Sequence, residues 1–530
     1  MKLSQDRSSH PRPQAFRLRH YRTGTIFGSA TVTVRGPRVF PSLLNLLTLT
    51  TKERDNLVLA FERIKALPAD HPDSFFTIAS YHGIPGGFFC HHGDPLFPTW
   101  HRVYLYTLEK SLQNQVPGVA LPYWQEIDSI KEGDPNLVIP TFLTDETYTY
   151  ANGNTVPNPL KSYTLQKAIK DTHSEEGKVG FPYSKPEGYA TVRFPFAGLM
   201  TPEYIERTEE HNREWNSRPV SETTELLNVN VATWLIKSSY ITSNGKSREA
   251  GLKYKFRRCL YATSYTAFSN TTSANLWNQK NKDSFVTSLE SPHNGMHLAI
   301  GGIQVPWQDD SAIAFANGDM GDNETAAFDP IFYFHHAFID YMFWNWQKKH
   351  DSTATLFFDP EYLAPEDKDK NLQTELDPFN APSGKRAMTS QDVADIANLG
   401  YSYDKPIDLG HIVQATSSDA LTPRLAVSNI YKSKVQGSFV VTTTVRENGK
   451  VKNFIDAEPI LSRYNVKSCD NCLDHLEVKY RIALVGWSAE EAKKVKEKGH
   501  FFIDIHTKDD PLGAPPGGDF DTAPRLELET

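Results

Sequence analysis

Histidines stand at metal-ligand spacing in two remote parts of this chain: CHHGDPLFPTWHRVYLYTLEKSL from Cys90, then SPHNGMHLAIGG from Ser291 with DPIFYFHHAFIDYMFWNW from Asp329. A chain built this way must fold so that distant segments meet around ions. His293 and His297 are four residues apart, so on a helix they project from one face and can grip one ion. Pro292 suits a first-turn position. In FYFHHAFIDYMF, Phe332, His336 and Asp340 share a helical face while His335 points elsewhere, which makes His336 the expected third ligand. Asp340, one turn along, fits the carboxylate that takes a ligand's free ring N–H and fixes its orientation.

The earlier stretch reads the same way. TWHRVYLYTLEKSL has the apolar pattern of a buried helix with His101 in its first turn. His92 precedes it on a loop holding Gly93, Asp94 and Pro95, and His82 falls where a helix ends at Gly83. A single histidine beside aromatics is most often a hydrogen-bonded core residue. Four neighbourhoods that each supply one where two three-imidazole sites need it are much less easily accidental. No HExxH motif or ligating carboxylate marks catalytic zinc, and thiols are too few for structural zinc. Neutral imidazole suits copper, although softness and geometry also admit zinc or nickel.

The run from His92 through Phe97, Trp100-His101-Arg102 and Leu105 to Glu109 resembles the copper A signature of tyrosinases, catechol oxidases and molluscan haemocyanins. Asp329-Pro330, Phe332, His336 and Asp340 match its copper B counterpart. The chain is thus similar to the type 3 copper family, above all to intracellular fungal tyrosinases, from about Asp73 to the Cys469/Cys472 region. The resemblance implies two copper ions with O2 as co-substrate. Copper A would be held by His82, His92 and His101, and copper B by His293, His297 and His336. It implies a thioether bond between Cys90 and His92; otherwise Cys90 is a small buried filler, as Cys259 is expected to be. It gives Glu290 and Asn294 the task of holding a proton-accepting water, although Glu290 could equally charge a helix start. Leu298 would shape substrate access and leave the entrance apolar.

Cys469 and Cys472 form a Cys-x-x-Cys that alone could be a redox pair, half a zinc site or chance. By resemblance the pair takes part in copper loading, for which thiolates suit Cu(I). Tyr401 and Tyr403 resemble the Tyr-x-Tyr motif that closes the catalytic domain. The arginine that usually meets that motif has no clear counterpart, with Arg35 and Arg38 as stand-ins. A C-terminal domain is expected to lie over the site as a lid, its plug drawn from Ile460, Leu461 or Tyr464.

The expected fold is mainly α, a four-helix-bundle dicopper core with a C-terminal β-sandwich-like domain. The expected division is 1–403 catalytic, 404–428 linker and 429–530 shielding. FGSATVTVRG reads as a strand and LTTKERDNLVLAFERIKAL as an amphipathic helix with a threonine cap. Long polar loops are expected at Glu146 to Pro159 and Ser174 to Gly188, and a mobile tail from Asp509. Beyond the linker, strands alternate around an Asn448-Gly449 turn, with a helix at SAEEAKKVKEKG.

The 530 residues carry a formal net charge of −8 and no basic stripe, which argues against nucleic acid. No apolar run is long enough to span a membrane, and the N-terminus lacks a secretory h-region. Four cysteines make no disulfide framework, so the expected compartment is the reducing cytoplasm. The expected partners are small phenols, with an activating protease and self-association left open. The expected activity is a copper-dependent polyphenol oxidase that hydroxylates monophenols and oxidises o-diphenols for melanin or another pigment, made as a latent precursor. A catechol or o-aminophenol oxidase of secondary metabolism is the alternative, and an oxygen carrier like haemocyanin comes third.

Overall fold

Three helices and two irregular segments carry the six histidines of the expected ligand set. The computed structural model describes residues 42–127, 138–171, 183–237, 239–241, 247–304, 312–381, 384–407, 422–466, 469–513 and 524–529. Arg35, Arg38 and the strand expected at FGSATVTVRG lie outside these residues, as do most of the expected linker and residues 174–182 of the Ser174 to Gly188 loop. Helix α1 (Thr51–Ala66) starts at a capping box in which Thr50 and Glu53 satisfy each other's backbone N–H groups. Ser74 caps α2 (Phe75–Ser80). Helices α3 (Phe97–Gln115), α4 (Glu290–Gly301) and α5 (Ile331–Lys349) follow. All twelve residues of α4 are buried, as is most of α5. Burial on every side leaves Glu290, Ser291, His293, Asn294 and His297 of α4 as polar groups that need partners inside the core. Gly301 lets α4 close on a neighbouring turn, for a Cβ there would lie 1.8 Å from the Gly321 nitrogen.

The second part is a pair of three-stranded antiparallel sheets. Strands β1 (Arg424–Tyr431), β2 (Phe439–Glu447), β3 (Lys450–Ile460), β4 (Glu477–Ala483), β5 (Phe501–His506) and β6 (Arg525–Glu529) form sheets in the orders β4-β1-β6 and β3-β2-β5. Asn448 and Gly449 join β2 to β3 with φ of 53° and 73°, the left-handed values that a two-residue hairpin needs. Strand β2 is buried on both faces, and alternation explains why. Val441, with Ile455 of β3, packs inside the sandwich, whereas Val440, with Phe454 and Ala457 of β3, packs into the helical core. Phe40 to Thr530 accordingly forms one unit, with the sheets resting directly on the helices.

Three local expectations differ from what is found. Strand β1 begins at Arg424, inside the stretch read as linker; Arg424 is 2% exposed, and its guanidinium donates to four backbone carbonyls of residues 278–284. The tail is not loose throughout. In β6 the alternating RLELE run pairs with β1, turning Leu526 and Leu528 toward the sandwich core. The polar segment from Glu146 to Pro159 holds a small hairpin, Thr147–Thr149 against Thr155–Pro157. Among the described residues no helix is long and apolar enough to cross a membrane.

Candidate metal centre

His101 on α3 donates its Nδ1–H to the Phe97 carbonyl at 2.8 Å, and His297 on α4 donates its own to the Met320 carbonyl at 2.7 Å. His293 Nδ1 faces Asn294 Oδ1 at 2.9 Å. Each bond leaves the Nε2 lone pair as the free end of the ring, the form that binds a metal. His336 Nε2 on α5 lies 3.3 Å from His293 Nε2 and 3.2 Å from His297 Nε2. Opposite them the Nε2 atoms of His82, His92 and His101 are buried without a hydrogen-bond partner. Unpartnered buried nitrogens are costly unless a metal or another ligand satisfies them. The three rings are 5.2 to 5.6 Å apart between centroids. The two triplets also touch, with His101 stacked on His336 at 4.5 Å. Two cations fit this donor set.

Burial and mutual proximity keep the rings neutral. The pKa values of His82, His92, His293, His297 and His336 all lie well below the ordinary histidine value, and that of His101 falls to about 3. Burial is the largest cause for each. Phe332 sits between the triplets, 4.1 Å from His336 and 4.9 Å from His82 between centroids. Cys90 is buried beside the first triplet, where its sulfur and ligand nitrogens of His82 and His92 lie within 4.8 Å of one another.

His335 does not point elsewhere. Its ligand atom clusters with those of His293, His297 and His336 within 4.8 Å, while its Nδ1 bonds Glu126 Oε1 at 2.7 Å. Burial pushes the Glu126 carboxyl well up and the His335 ring down to about 3, so the pair is held uncharged. Helical spacing separates neighbouring residues by about 100°. Inside a fully buried helix that still leaves both rings among the aromatics facing α4. No spacing marks Glu126, which comes from a loop after a buried aromatic run.

Among the described residues the Asp340 carboxylate is hydrogen-bonded to Arg102 and two tyrosines and not to a histidine ring. Its Oδ1 accepts from Arg102 Nε at 2.5 Å, and its Oδ2 accepts from the Tyr401 and Tyr403 hydroxyls, each at 2.6 Å. Among the described residues Arg102, within the first histidine motif, is therefore the arginine that meets the Tyr-x-Tyr pair, through a shared carboxylate. Leu298 is fully buried in the helical core rather than at an entrance.

A cavity of about 370 Å³ lies where the helices meet the sandwich. His92, Gly93, Glu290 and Asn294 line it from the helical side, and Lys432, Ile460, Leu461 and His475 from the other. Glu290 is tied at both oxygens: Oε1 accepts from the Gly93 N–H at 2.7 Å and Oε2 from the Thr271 N–H at 2.9 Å. Burial raises its pKa. Ile460 belongs to the sandwich core, whereas Leu461 packs into the helical core. Tyr464 turns away from the cavity, against Tyr183 at 5.7 Å and Tyr204 at 6.3 Å. Cys469 and Cys472 are joined as a disulfide rather than held as two thiols, and in that state neither offers a thiolate.

Residues 72–349 match the family model for the common central domain of tyrosinase. A tyrosinase of Aspergillus oryzae is 36% identical over 518 residues, which covers 88% of this chain and 92% of that protein. A tyrosinase of a Hahella species is 37% identical over 501 residues, covering 85% and 89%. The solved structure of a tyrosinase from Burkholderia thailandensis superposes with a TM-score of 0.74 at 34% identity, covering 92% of this chain and all of that one. With two adjoining clusters of buried imidazoles suited to a pair of copper ions, the chain belongs to the tyrosinase family of copper oxidases.

Proposed function

We propose that this tyrosinase hydroxylates monophenols ortho to their hydroxyl, oxidises o-diphenols to o-quinones for melanin or another phenolic pigment, and is held latent by its own sandwich. The observation that carries this reading is the cavity that places Glu290 and Asn294 beside His92. Copper A, on His82, His92 and His101, and copper B, on His293, His297 and His336, supply O2 binding and two-electron oxidation. The chain does the rest. Asn294 fixes the His293 ring, and Phe332 helps keep the space between the triplets dry. Glu290, buried and with its pKa raised, gives the cavity a polar corner where a water can take the phenol proton. Cys90 is placed for a thioether to His92, in which one S–C bond replaces an S–H and a ring C–H and O2 takes the two electrons. Reduction of the Cys469–Cys472 disulfide would give the thiols that a copper-loading role needs.

Of the three plug candidates, Leu461 is favoured, because it reaches both the cavity and the helical core. A small phenol would have to displace it. A second reading, diphenol oxidation alone, draws on the engagement of both Glu290 oxygens by backbone N–H groups. Turnover of tyrosine and of a catechol, before and after limited proteolysis, separates these readings. Tyrosine turnover that rises sharply on cleavage is the expected result. Catechol turnover alone would favour the second reading, and equal activity before and after would remove the latency.

A further inference from the structure

We infer that the sandwich shapes the copper A site, with Arg463 and Asn471 as positioning residues that hold His82 and His92 by their main-chain carbonyls. The inference rests on the assignment of His82, His92 and His101 to one ion.

The two triplets are carried differently. His293 and His297 lie within α4 and His336 within α5, where the helix satisfies the backbone. In the other triplet only His101 is inside a helix. His82 follows the end of α2, and His92 lies on irregular chain before α3. A ligand on irregular backbone is only as fixed as the partners of that backbone.

Here the partners come from the far end of the chain. Arg463 Nη2 donates to the His82 carbonyl at 3.3 Å, and Asn471 Nδ2 donates to the His92 carbonyl at 3.0 Å. Arg463 is 1% exposed, stacks its guanidinium 4.1 Å over the Phe88 ring, and reaches Cys90 Sγ at 3.2 Å. The Tyr464 N–H donates to Glu324 Oε1 at 2.6 Å, while the Glu324 carbonyl accepts from the Ile84 N–H at 3.2 Å. His475 closes against Gly93, where a Cβ would come within 3.1 Å of its ring. Through these contacts Arg463, Tyr464, Asn471 and His475 form a hoop around residues 82–93. The copper B rings need nothing of this kind, since Met320 and Asn294 orient His297 and His293 from within the helical half.

The consequence is an asymmetry between the ions. Loss of a partner that orients a ligand typically costs about 10–100-fold in metal affinity. The test uses the full chain carrying Arg463→Gln or Asn471→Ala, with copper per chain counted after dialysis against graded chelator. Paramagnetic resonance of the oxidised protein reports any lone Cu(II). Both variants are expected to give up one ion at about 10–100-fold lower chelator than the parent, to keep the other at the parental concentration, and to develop the lone-ion signal. Asn471 is half-buried, so its variant keeps the test open if the Arg463 variant fails to fold. Arg481→Gln is the control: it cuts another bond between the halves, Arg481 Nη1 to Asn275 Oδ1 at 2.7 Å, without touching the hoop. Parental retention of both ions by both hoop variants, or the same loss from Arg481→Gln, would overturn the inference. His92→Ala is run alongside to test the ligand assignment. If it still holds two ions, that assignment falls and this inference falls with it. If it loses one ion while the hoop variants lose none, the inference alone falls.

Discussion

Asp340 shows how one carboxylate can be legible in position and misread in partner. Its helical phase with His336 is real, but the atoms it meets are Arg102 and the two hydroxyls of Tyr401 and Tyr403, which lie on segments that spacing within α5 cannot reveal. Replacing one member of a buried, hydrogen-bonded ion pair leaves the other uncompensated, at a cost of about 3–5 kcal/mol. Asp340→Asn is therefore expected to lower unfolding stability by that order in a denaturant titration while two coppers still bind. Copper loss at unchanged stability would restore the ligand-orienting role. Glu109 gives a residue-scale dependence on pH. Burial raises its carboxyl from the ordinary 4.5 to about 7, against bonds from the Leu121 N–H and Gln113 that favour the charge. Between those values the folded chain binds more protons than the unfolded one, so this group's contribution to stability falls as pH rises through the window. Glu109→Gln should flatten stability between pH 4.5 and 7, measured by denaturant titration at several pH values.

At the scale of elements, periodicity revealed what is local and missed what is held from afar. The capped α1, the α4 pair His293 and His297, and the Asn448-Gly449 turn all stand where capping residues, four-residue spacing and left-handed turn residues place them. Strand β6 was missed although RLELE alternates, because its Pro- and Gly-rich approach outweighed five residues of pattern. His335 was misjudged because a helix buried on every side has no outward face for it to take. Gly301 links an element to the site. A side chain there would push apart α4 and the turn whose Met320 carbonyl orients His297. Overpacking of this kind costs about 1–3 kcal/mol. Gly301→Ala should lower the melting temperature and weaken retention of copper B in a chelator titration, with copper A less affected.

For the whole molecule, the decisive fact is that one sheet serves two cores. A strand that turns Val441 into the sandwich and Val440 into the helices cannot be removed without exposing both. FVVTTTV reads as one of the alternating strands, yet all of Phe439 to Val445 is buried, so the strand is covered on both faces. What could not be read was the neighbour, since no pattern within the strand says which core its outer face will meet. The proposed latency draws on the same contact, because Leu461 directly follows β3 and lines the cavity. Leu461→Ala should raise diphenol turnover in the uncleaved chain several-fold and leave the cleaved form unchanged. Equal rates in parent and variant before cleavage would place the obstruction elsewhere.

The most direct test of the account is the number of copper ions per chain, by elemental analysis, in the copper-loaded protein and in single alanine variants of His82, His92, His101, His293, His297 and His336. The account predicts two ions in the parent, with an O2-dependent near-ultraviolet band, and one ion without that band when either triplet loses a member. A parent that binds fewer than two ions and shows no such band, or variants that retain both, would contradict it.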